Sequence, residues 1–246
     1  MKTLVISGGS SGIGEACINK FLANGYIIYN LDIVDNPGFT QITRYNYLAT
    51  DVCSESAVKS ALDTLSRLAV NIGVLIISAG KHLSANIEDT STEMLEQILN
   101  LNLLGAWWLI KYSLPLMKNN GGSIVTIGSD QSSIAKTNSA AYGMTKAALA
   151  HLTKSTALDY AKYNIRANCI GAGTIDTPLY RQAIASYAQT SGIALEQIEA
   201  EEAACQPLNR IGNASEVAEL AYILSQDSLA YMTGTLIPLD GGYIAR

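Results

Sequence analysis

The sequence predicts a doubly wound α/β fold, in which helices cover both faces of a parallel sheet of about seven strands. Short runs rich in apolar residues alternate with segments of helical length along most of the chain. Several of these runs are almost wholly apolar, as expected when helices bury both faces of a parallel sheet. The predicted strands are residues 3–7, 26–31, 45–48, 74–78, 123–128, 165–170 and 235–239.

The length and the element order predict one domain. The chain has 246 residues, which suits a single large α/β domain. We therefore expect residues 1–246 to share one sheet. Residues 178–207 are rich in Ala, Gln, Glu and Ser and lie between two predicted strands. We expect them to form a lid over the active-site edge, where such segments carry specificity.

Composition limits the partners. The chain is 48% hydrophobic and only 15% charged, which is apolar for a soluble monomer and favours a homo-oligomer. One predicted helix, residues 92–119, carries apolar residues on more than one stripe, so we expect it to be buried on two sides, in its own core or against a neighbouring subunit. The net charge is −5 without a Lys/Arg cluster, so we expect no nucleic-acid partner.

The cysteines and the hydropathy pattern favour a cytoplasmic protein. Cys17, Cys53, Cys169 and Cys205 lie far apart and lack metal-ligand spacing, so neither a metal site nor a disulfide framework is predicted. The most apolar internal stretch, residues 103–110, is too short to span a bilayer, and no leader pattern opens the chain. We expect no membrane partner.

The first strand runs directly into a glycine-rich segment, Gly8-Gly-Ser-Ser-Gly12-Ile-Gly14, which helix-forming residues follow. Glycine lets the backbone approach a pyrophosphate closely, and the N-terminus of the next helix offers it free N–H groups. This junction predicts a dinucleotide site and makes the expected fold Rossmann-like. On its own the motif is weak, because glycine-rich turns also occur as plain connections.

An acidic residue ends the second predicted strand. Asp32 stands about twenty residues past the glycine turn, where a carboxylate accepts hydrogen bonds from the ribose hydroxyls of NAD. The same carboxylate would repel the 2′-phosphate of NADP, and neither Ser11 nor Ile33 supplies a cation to offset that repulsion. The sequence therefore predicts a preference for NAD.

Tyr142 and Lys146 are four residues apart in a predicted helix and so lie on one face. A phenol has a pKa of about 10, and a neighbouring ammonium lowers that pKa by favouring the phenolate. We expect the pair to act as a general base. Ser129 ends a predicted strand thirteen residues earlier, where a hydroxyl could hold a substrate oxygen against the tyrosine.

These residues, with others, resemble the motif set of the short-chain dehydrogenase/reductases. The resemblance covers essentially the whole chain and implies hydride transfer between a secondary alcohol and a ketone, in a protein that is commonly a tetramer. The motifs, in order, are Gly8-x-x-x-Gly12-x-Gly14, Asp32, Asp51-Val52, Ser78-Ala-Gly80, Asn102-x-x-Gly105, Ser129, Tyr142-x-x-x-Lys146, Asn168-x-x-x-x-Gly173 and Asp240-Gly-Gly242.

The resemblance implies roles for the matching positions. Tyr142 would be the catalytic acid or base, Lys146 would lower its pKa and hold the nicotinamide ribose, and Ser129 would orient the reacting oxygen. Asn102 would hold a water that relays protons from Lys146 to solvent. The cofactor would be bound by Gly8, Ser10, Ser11, Gly12, Ile13, Asp32, Asp51, Val52, Ala79, Gly80, Tyr142, Lys146, Ile175 and Thr177.

The predicted substrate contacts are polar: Ser129, Gln131, Tyr142 and Arg181, with His82, Asn138 and Ser139 as further candidates. They favour a sugar, sugar acid or hydroxy acid over a steroid. Arg181 would pair with a substrate carboxylate or remain solvated.

Two other functions stay open. One is a 3-oxoacyl thioester reductase, against which Asp32 counts because such enzymes usually use NADP. The other is an NAD-binding scaffold without turnover, against which the presence of Tyr142 and Lys146 counts.

Overall fold

All seven predicted strands lie in one parallel sheet. The structure, a computed structural model, describes residues 2–245. The sheet order is β3-β2-β1-β4-β5-β6-β9, and a separate pair is formed by β7 and β8. The strands are β1 Thr3–Ser7, β2 Ile27–Asp32, β3 Tyr45–Ala49, β4 Val74–Ile77, β5 Gly122–Ile127, β6 Ile165–Ala172, β7 Ile175–Asp176, β8 Gly212–Asn213 and β9 Leu236–Leu239.

Helices cover both faces of this sheet, which confirms the predicted doubly wound, Rossmann-like single domain. Each of the crossovers between parallel strands needs a connection long enough to return across the sheet, and most of them contain a helix. The helices are α1 Gly12–Ala23, α2 Glu55–Arg67, α3 Thr92–Leu99, α4 Gly105–Ser113, α5 Ala140–Tyr160, α6 Pro178–Ser191, α7 Leu195–Ala204 and α8 Ala214–Leu224.

The sheet separates two hydrophobic cores. Leu4 and Ile6 of β1 belong to the cluster that contains Phe21 of α1 and Val217 of α8. Val5, between them in β1, belongs to the opposite cluster, with the buried side chains of α2, α4 and α5. This alternation follows from the two-residue period of a strand. It explains why the run from Leu4 to Ile6 is entirely apolar, since each face meets its own layer of helices.

The predicted helix 92–119 is interrupted. It comprises α3, a π-helical turn at Asn100–Leu104, α4 and a 3₁₀ turn at Leu114–Leu116. The prediction of one continuous helix to residue 119 was therefore wrong in detail. Pro115 lies in the 3₁₀ turn, where its ring and missing N–H do not allow a regular α-helix to continue.

Residues 178–207 contain two helices, α6 and α7, which follow β7 and precede β8 in the sequence. Arg181 of α6 joins them: its guanidinium bonds both carboxylate oxygens of Asp176, at 2.7 and 2.8 Å, and also pairs with Glu199 of α7. The segment is thus organised by side-chain pairs as well as by helix formation. Within residues 2–245, no helix combines the length and the apolar character that crossing a membrane requires.

Candidate active site

A cleft of about 420 Å³ opens at the carboxyl ends of β1, β2 and β4. In a sheet of this order, the chain runs from β1 to β2 and β3 on one side and then crosses back to β4 on the other side, and this reversal creates a crevice at the edge between β1 and β4. The cleft is lined by Gly8, Ser11, Gly12, Ile13, Leu31, Asp32, Ile33, Thr50, Asp51, Val52, Cys53, Ser78, Ala79, Gly80, Leu101, Ile127, Lys146, Thr177, Pro178 and Leu179.

The glycine turn packs too closely for side chains. Gly8 has a φ of +68°, and a Cβ there would lie 2.6 Å from the backbone nitrogen of Ala79. A Cβ on Gly14 would lie 1.9 Å from the carbonyl oxygen of Gly8. The turn, the end of β4 and the first turn of α1 are therefore in direct backbone contact, as close approach to a ligand requires.

The N-terminus of α1 has the donors that an anion needs. Ser11 is the N-cap residue, but its side chain makes no capping hydrogen bond. The N–H of Glu15 donates to the carbonyl of Ser11 at 3.2 Å, so the three preceding N–H groups lie in the part of a helix that lacks internal acceptors. Gly12 and Ile13, which carry two of them, line the cleft. This end of the cleft fits a pyrophosphate.

Asn30 braces this turn, and the sequence analysis did not identify it. It is fully buried in β2. Its Oδ1 accepts from the N–H of Gly9 at 3.1 Å, and its Nδ2 donates to Ser10 Oγ at 3.0 Å and to Tyr45 Oη at 2.9 Å. The available signal was an amide in an otherwise apolar strand, because a buried polar side chain needs partners.

Asp32 lies at the cleft edge with its carboxylate fixed by backbone donors. Oδ2 accepts from the N–H of Ser10 at 3.0 Å, and Oδ1 accepts from the N–H of Ile33 at 2.7 Å. Among the described residues that line the cleft, Lys146 is the only basic one. The carboxylate therefore has no cation beside it in the cleft wall.

Most of the predicted cofactor residues line this cleft, and three do not. The side chain of Ser10 bonds the carbonyl of Val34 instead. Ile175 is buried in the core between β6 and α8, so only its backbone is available to a cofactor. Tyr142 lies beyond the cleft wall. Asp51, Val52, Ala79, Gly80 and Thr177 are among the lining residues, as predicted.

Lys146 is buried at the inner end of the cleft. Its Nζ donates to the carbonyl of Ile127 at 2.8 Å and lies 5.7 Å from the centre of the Tyr142 ring. Burial lowers the pKa of Lys146 to about 8, because the charged form loses its hydration. The one-turn spacing thus does bring the two side chains together on α5.

The pKa of Tyr142 differs from the expectation. Desolvation is the main cause of a rise to about 12, which a hydrogen bond with the Ser129 hydroxyl partly opposes and the charge of Asp130 adds to. The predicted lowering by Lys146 is not seen, since desolvation dominates at this half-buried ring. The phenol therefore needs additional positive charge nearby before it can act as a base near neutral pH.

Ser129 caps a 3₁₀ turn at Asp130–Ser132 and is buried. Its Oγ donates to Asp130 Oδ1 at 2.8 Å and accepts from the N–H of Gln131 at 3.2 Å. The hydroxyl is held in a defined orientation, although its proton points to a carboxylate.

Asp130 is the second residue that sequence reasoning missed. It is 3% exposed, and its Oδ2 lies 2.7 Å from Lys136 Nζ. The ammonium of Lys136 lies 4.3 Å from the centre of the Tyr243 ring. A carboxylate directly after Ser129 was visible in the sequence, but its partner six residues later was not predictable from spacing in a loop.

Other polar groups surround Tyr142. The His82 ring meets the Tyr142 ring edge-on at 4.7 Å between centres, and desolvation with the charge of Lys136 lowers the pKa of His82. Gln131 Oε1 and Ser139 Oγ are buried and have no hydrogen-bond partner within residues 2–245. Such groups are costly unless a ligand or water satisfies them.

Asn102 lies in the π-helical turn and is buried. Its Oδ1 accepts from the N–H of Lys81 at 2.9 Å, and its Nδ2 donates to the carbonyl of Lys81 and to Thr145 Oγ1. The side chain thus joins the segment after β4 to α5, directly before Lys146. The proton-relay role implied by the resemblance stays a prediction.

Arg181, which was predicted to pair with a substrate carboxylate or to remain solvated, pairs with carboxylates of this chain instead. Its guanidinium bonds Asp176 and Glu199, so two carboxylates already neutralise its charge. It therefore organises α6 and α7 in this structure and offers no open cation to a substrate carboxylate. Within residues 2–245, no group of three or more His, Cys, Asp and Glu side chains is arranged to hold a metal.

Comparisons with known proteins identify relatives along the whole chain. The family model described as enoyl-(acyl carrier protein) reductase matches residues 8–244. L-fucose dehydrogenase of Mus musculus is 32% identical over 98% of this chain and 88% of its own. A short chain dehydrogenase family protein of Francisella tularensis superposes with a TM-score of 0.95, 37% identity and full coverage of both chains.

Two further solved structures bear on ligands. Aldohexose dehydrogenase of Thermoplasma acidophilum, in ligand-free form, gives a TM-score of 0.91 with 33% identity over 100% of this chain and 94% of its own. ElxO with NADP bound gives a TM-score of 0.90 with 26% identity over 100% of this chain and 99% of its own. Sugar oxidation and nicotinamide binding thus both occur on this architecture.

Proposed function

The chain belongs to the short-chain dehydrogenase/reductase family, and on that premise we propose that it oxidises a polar, sugar-like secondary alcohol with NAD. The observation that supports the proposal is that the predicted cofactor-binding and catalytic residues lie along or just beyond one cleft. The glycine turn and Asp32 lie at one end of the cleft and Lys146 at the other, with Tyr142 and Ser129 just beyond. A dinucleotide bound along the cleft would bring its reactive ring to the tyrosine.

The chain's own residues handle the proton. When bound, NAD supplies the acceptor for the hydride that leaves the alcohol carbon, together with positive charge on the nicotinamide ring. The Tyr142 phenolate takes the hydroxyl proton as the C–H bond breaks and the C=O bond forms. Lys146, buried at 6% exposure, holds a second positive charge near the phenol. Ser129 donates to the reacting oxygen and holds it in place.

Asp32 supports NAD over NADP. Its two carboxylate oxygens are oriented by backbone N–H groups and remain able to accept from ribose hydroxyls. A 2′-phosphate at this position would meet a like charge without a neighbouring cation. ElxO, which binds NADP, indicates that family membership alone does not fix this choice.

The surroundings of Tyr142 support a polar substrate. His82 contacts the Tyr142 ring, and the charge of Asp130, which pairs with Lys136, acts on the phenol. The mouse and Thermoplasma relatives named for L-fucose and aldohexose are consistent with a sugar-like alcohol.

The experiment that tests this function is a substrate panel with absorbance of NADH as the readout. Sugars, sugar acids and hydroxy acids are offered with NAD and, separately, with NADP. We expect turnover of at least one polyhydroxy compound with NAD, and a loss of about 10²–10⁴-fold in Tyr142→Phe, which removes the acid-base group. Tyr231→Phe is the matched control, because that side chain is fully exposed.

A second candidate is the 3-oxoacyl thioester reductase that the sequence leaves open, and the matching family model is likewise named for an acyl thioester reductase, an enoyl-(acyl carrier protein) reductase. Reduction of an acyl thioester such as acetoacetyl-coenzyme A with NADPH, faster than any sugar oxidation with NAD, would establish this alternative. Full activity of Tyr142→Phe on the best substrate would contradict the mechanism in either case.

We also propose a cytoplasmic homo-oligomer, with a tetramer as the expected size. Large apolar side chains are exposed on two helices: Trp107 of α4 is 50% exposed, and Met144 and Leu158 of α5 are 48% and 81% exposed. Such a surface favours burial against another copy. A monomer in sedimentation at working concentration would contradict the oligomer.

A further inference from the structure

The buried carboxylate of Asp130 competes with the substrate for the proton of Ser129. An ionised carboxylate only accepts hydrogen bonds, so the 2.8 Å bond between Ser129 Oγ and Asp130 Oδ1 contains the serine proton. Lys136 Nζ lies 2.7 Å from the other oxygen, Oδ2, and so leaves Oδ1 to the serine. A serine hydroxyl has one proton, and in this arrangement it is not available to the reacting oxygen.

Ser129 has no second proton to donate to a substrate oxygen. Its oxygen already accepts from the N–H of Gln131 at 3.2 Å, which fixes the side chain as the cap of the 3₁₀ turn. Turning the proton toward a substrate would leave Asp130 Oδ1 without its donor. The hydrogen bond to a buried charge is among the stronger ones, so its loss would slow the reaction unless another donor replaced it.

We propose that Asp130 makes the enzyme selective for vicinal diols, because a hydroxyl next to the reacting carbon replaces Ser129 as the donor to Asp130 and frees the serine proton for the reacting oxygen. Asp130 then binds the substrate, and the exchange couples that binding to the release of Ser129. The proposal rests on the proposed oxidation of alcohols and narrows its substrate class.

The distances suit such an exchange. The two oxygens of a gauche vicinal diol lie about one hydrogen-bond length apart, which matches the 2.8 Å between Ser129 Oγ and Asp130 Oδ1. One diol can therefore present its reacting oxygen to the serine and its second hydroxyl to the carboxylate. An isolated alcohol lacks the second donor, and a 2-hydroxy acid would bring a carboxylate toward the charge of Asp130.

Asp130→Asn tests the exchange because it reverses the polarity of one hydrogen bond. The Lys136 ammonium only donates, so it would bind the amide oxygen of the new side chain. The amide NH₂ would then donate to Ser129 Oγ, and the serine proton would be free without any diol. Selectivity for diols should fall although the shape of the side chain is kept.

The probes are cis-1,2-cyclohexanediol and cyclohexanol, which differ by one hydroxyl, with 2-hydroxybutyrate as the anionic probe. With NAD and the natural chain we expect kcat/KM for the diol to exceed that for cyclohexanol by about tenfold or more. In Asp130→Asn we expect this ratio to fall at least tenfold. The KM for the diol should rise, while the kcat for cyclohexanol should increase.

Lys136→Arg is the matched control, since it keeps a cation beside the buried carboxylate and leaves the bond to Ser129 intact. We expect the preference for the diol to persist within about threefold. If Lys136→Arg abolished the preference as fully as Asp130→Asn, the effect would belong to Lys136, and the proposal would be overturned. Melting temperatures of both variants identify any loss that comes from unfolding.

The outcomes separate the two proposals. Equal kcat/KM for diol and monoalcohol in the natural chain, or a kcat for cyclohexanol unchanged in Asp130→Asn, would overturn the role of Asp130 and leave the alcohol oxidation intact. Failure to oxidise any alcohol in the panel or among these probes would overturn the proposed function and the inference with it.

Discussion

The two ends of the site are built differently. At the cofactor end, the shape comes mainly from backbone: Gly8 and Gly14 allow close contact, the first turn of α1 supplies N–H groups, and backbone donors hold Asp32. At the substrate end, the shape comes from pairs of side chains, such as Asp130 with Lys136 and His82 with Tyr142.

Because of this difference, cofactor binding depends mainly on backbone, whereas substrate selectivity depends mainly on side chains. Backbone groups are present in every protein of the fold, so a cofactor end made of them depends on glycine positions and spacing. Side-chain pairs can be exchanged without disturbing the sheet, so the substrate end can differ between relatives of the same architecture. Substitutions at the two ends should therefore fail in different ways.

The largest effect is expected from Gly8→Ala. The new Cβ would lie 2.6 Å from the backbone of Ala79 at a φ of +68°, so backbone must move. We expect a loss of about 2–4 kcal/mol in stability and at least about a hundredfold in affinity for NADH. Calorimetry and NADH fluorescence measure these two quantities.

Gly25→Ala is the control for Gly8→Ala. Gly25 also has a positive φ, +83°, but nothing lies within 4 Å of its Cβ position. We expect about 1–2 kcal/mol of destabilisation and unchanged affinity for NADH. Equal loss of affinity in both variants would show that strain alone, and not close contact at the cleft, disables the site.

A smaller effect is expected from Asp32→Ala, which removes a charged acceptor but leaves the backbone alone. Affinity for NAD should fall about tenfold to a hundredfold, and discrimination against NADP should fall by a similar factor. The ratio of kcat/KM for the two cofactors is the measurement. Asp63→Asn is the charge control, because it removes one carboxylate from the surface of α2, where that carboxylate pairs with Lys59 and does not line the cleft. An unchanged ratio in Asp32→Ala would contradict the ribose contact.

Lys146→Met should stabilise the fold while it removes activity. Burial lowers the pKa of Lys146 from 10.5 to about 8, so the folded state carries an unfavourable charge below pH 8. We expect a gain of about 1–2 kcal/mol at pH 7 after the lost hydrogen bond to Ile127 is counted. The penalty disappears as pH rises from about 8 to 10.5, so the variant's advantage should shrink near pH 10 in thermal unfolding. An advantage independent of pH would contradict this assignment.

The smallest effect is expected at Arg181. Its ion pairs with Asp176 and Glu199 are half exposed, and exposed pairs contribute under about 1 kcal/mol. Arg181→Ala should change KM by less than about threefold for a neutral sugar and for a sugar acid alike. A large rise in KM confined to the sugar acid would mean that Arg181 binds substrate after all, and that the substrate end includes α6.

The sequence predicted the fold well for a physical reason. Most predicted strands are short runs rich in apolar residues, and the central ones are almost wholly apolar because helices bury both faces of the sheet there. The π-helical turn at Asn100–Leu104 escaped prediction, because a helix with one extra residue has the same local composition as a regular one.

The site was predictable only for residues whose spacing in the sequence determines their positions in a strand, turn or helix. The glycine turn, Asp32 and the pair on α5 follow fixed periods of strand and helix, and the structure brings them to one edge. Asp130 with Lys136 and Arg181 with Glu199 depend on how loops and helices meet in space, which no period encodes. The pKa of Tyr142 likewise depends on desolvation, which a helix spacing does not report.

The π-helical turn has a consequence for insertions and deletions. It holds Asn102 between Lys81 and Thr145 because the helix contains one residue more than a regular path would use. No point substitution removes that residue, whereas a single deletion in the turn would rotate α4 by about 100° relative to α3. The segment is therefore constrained in length as well as in the identity of Asn102, and natural variants should keep its residue count.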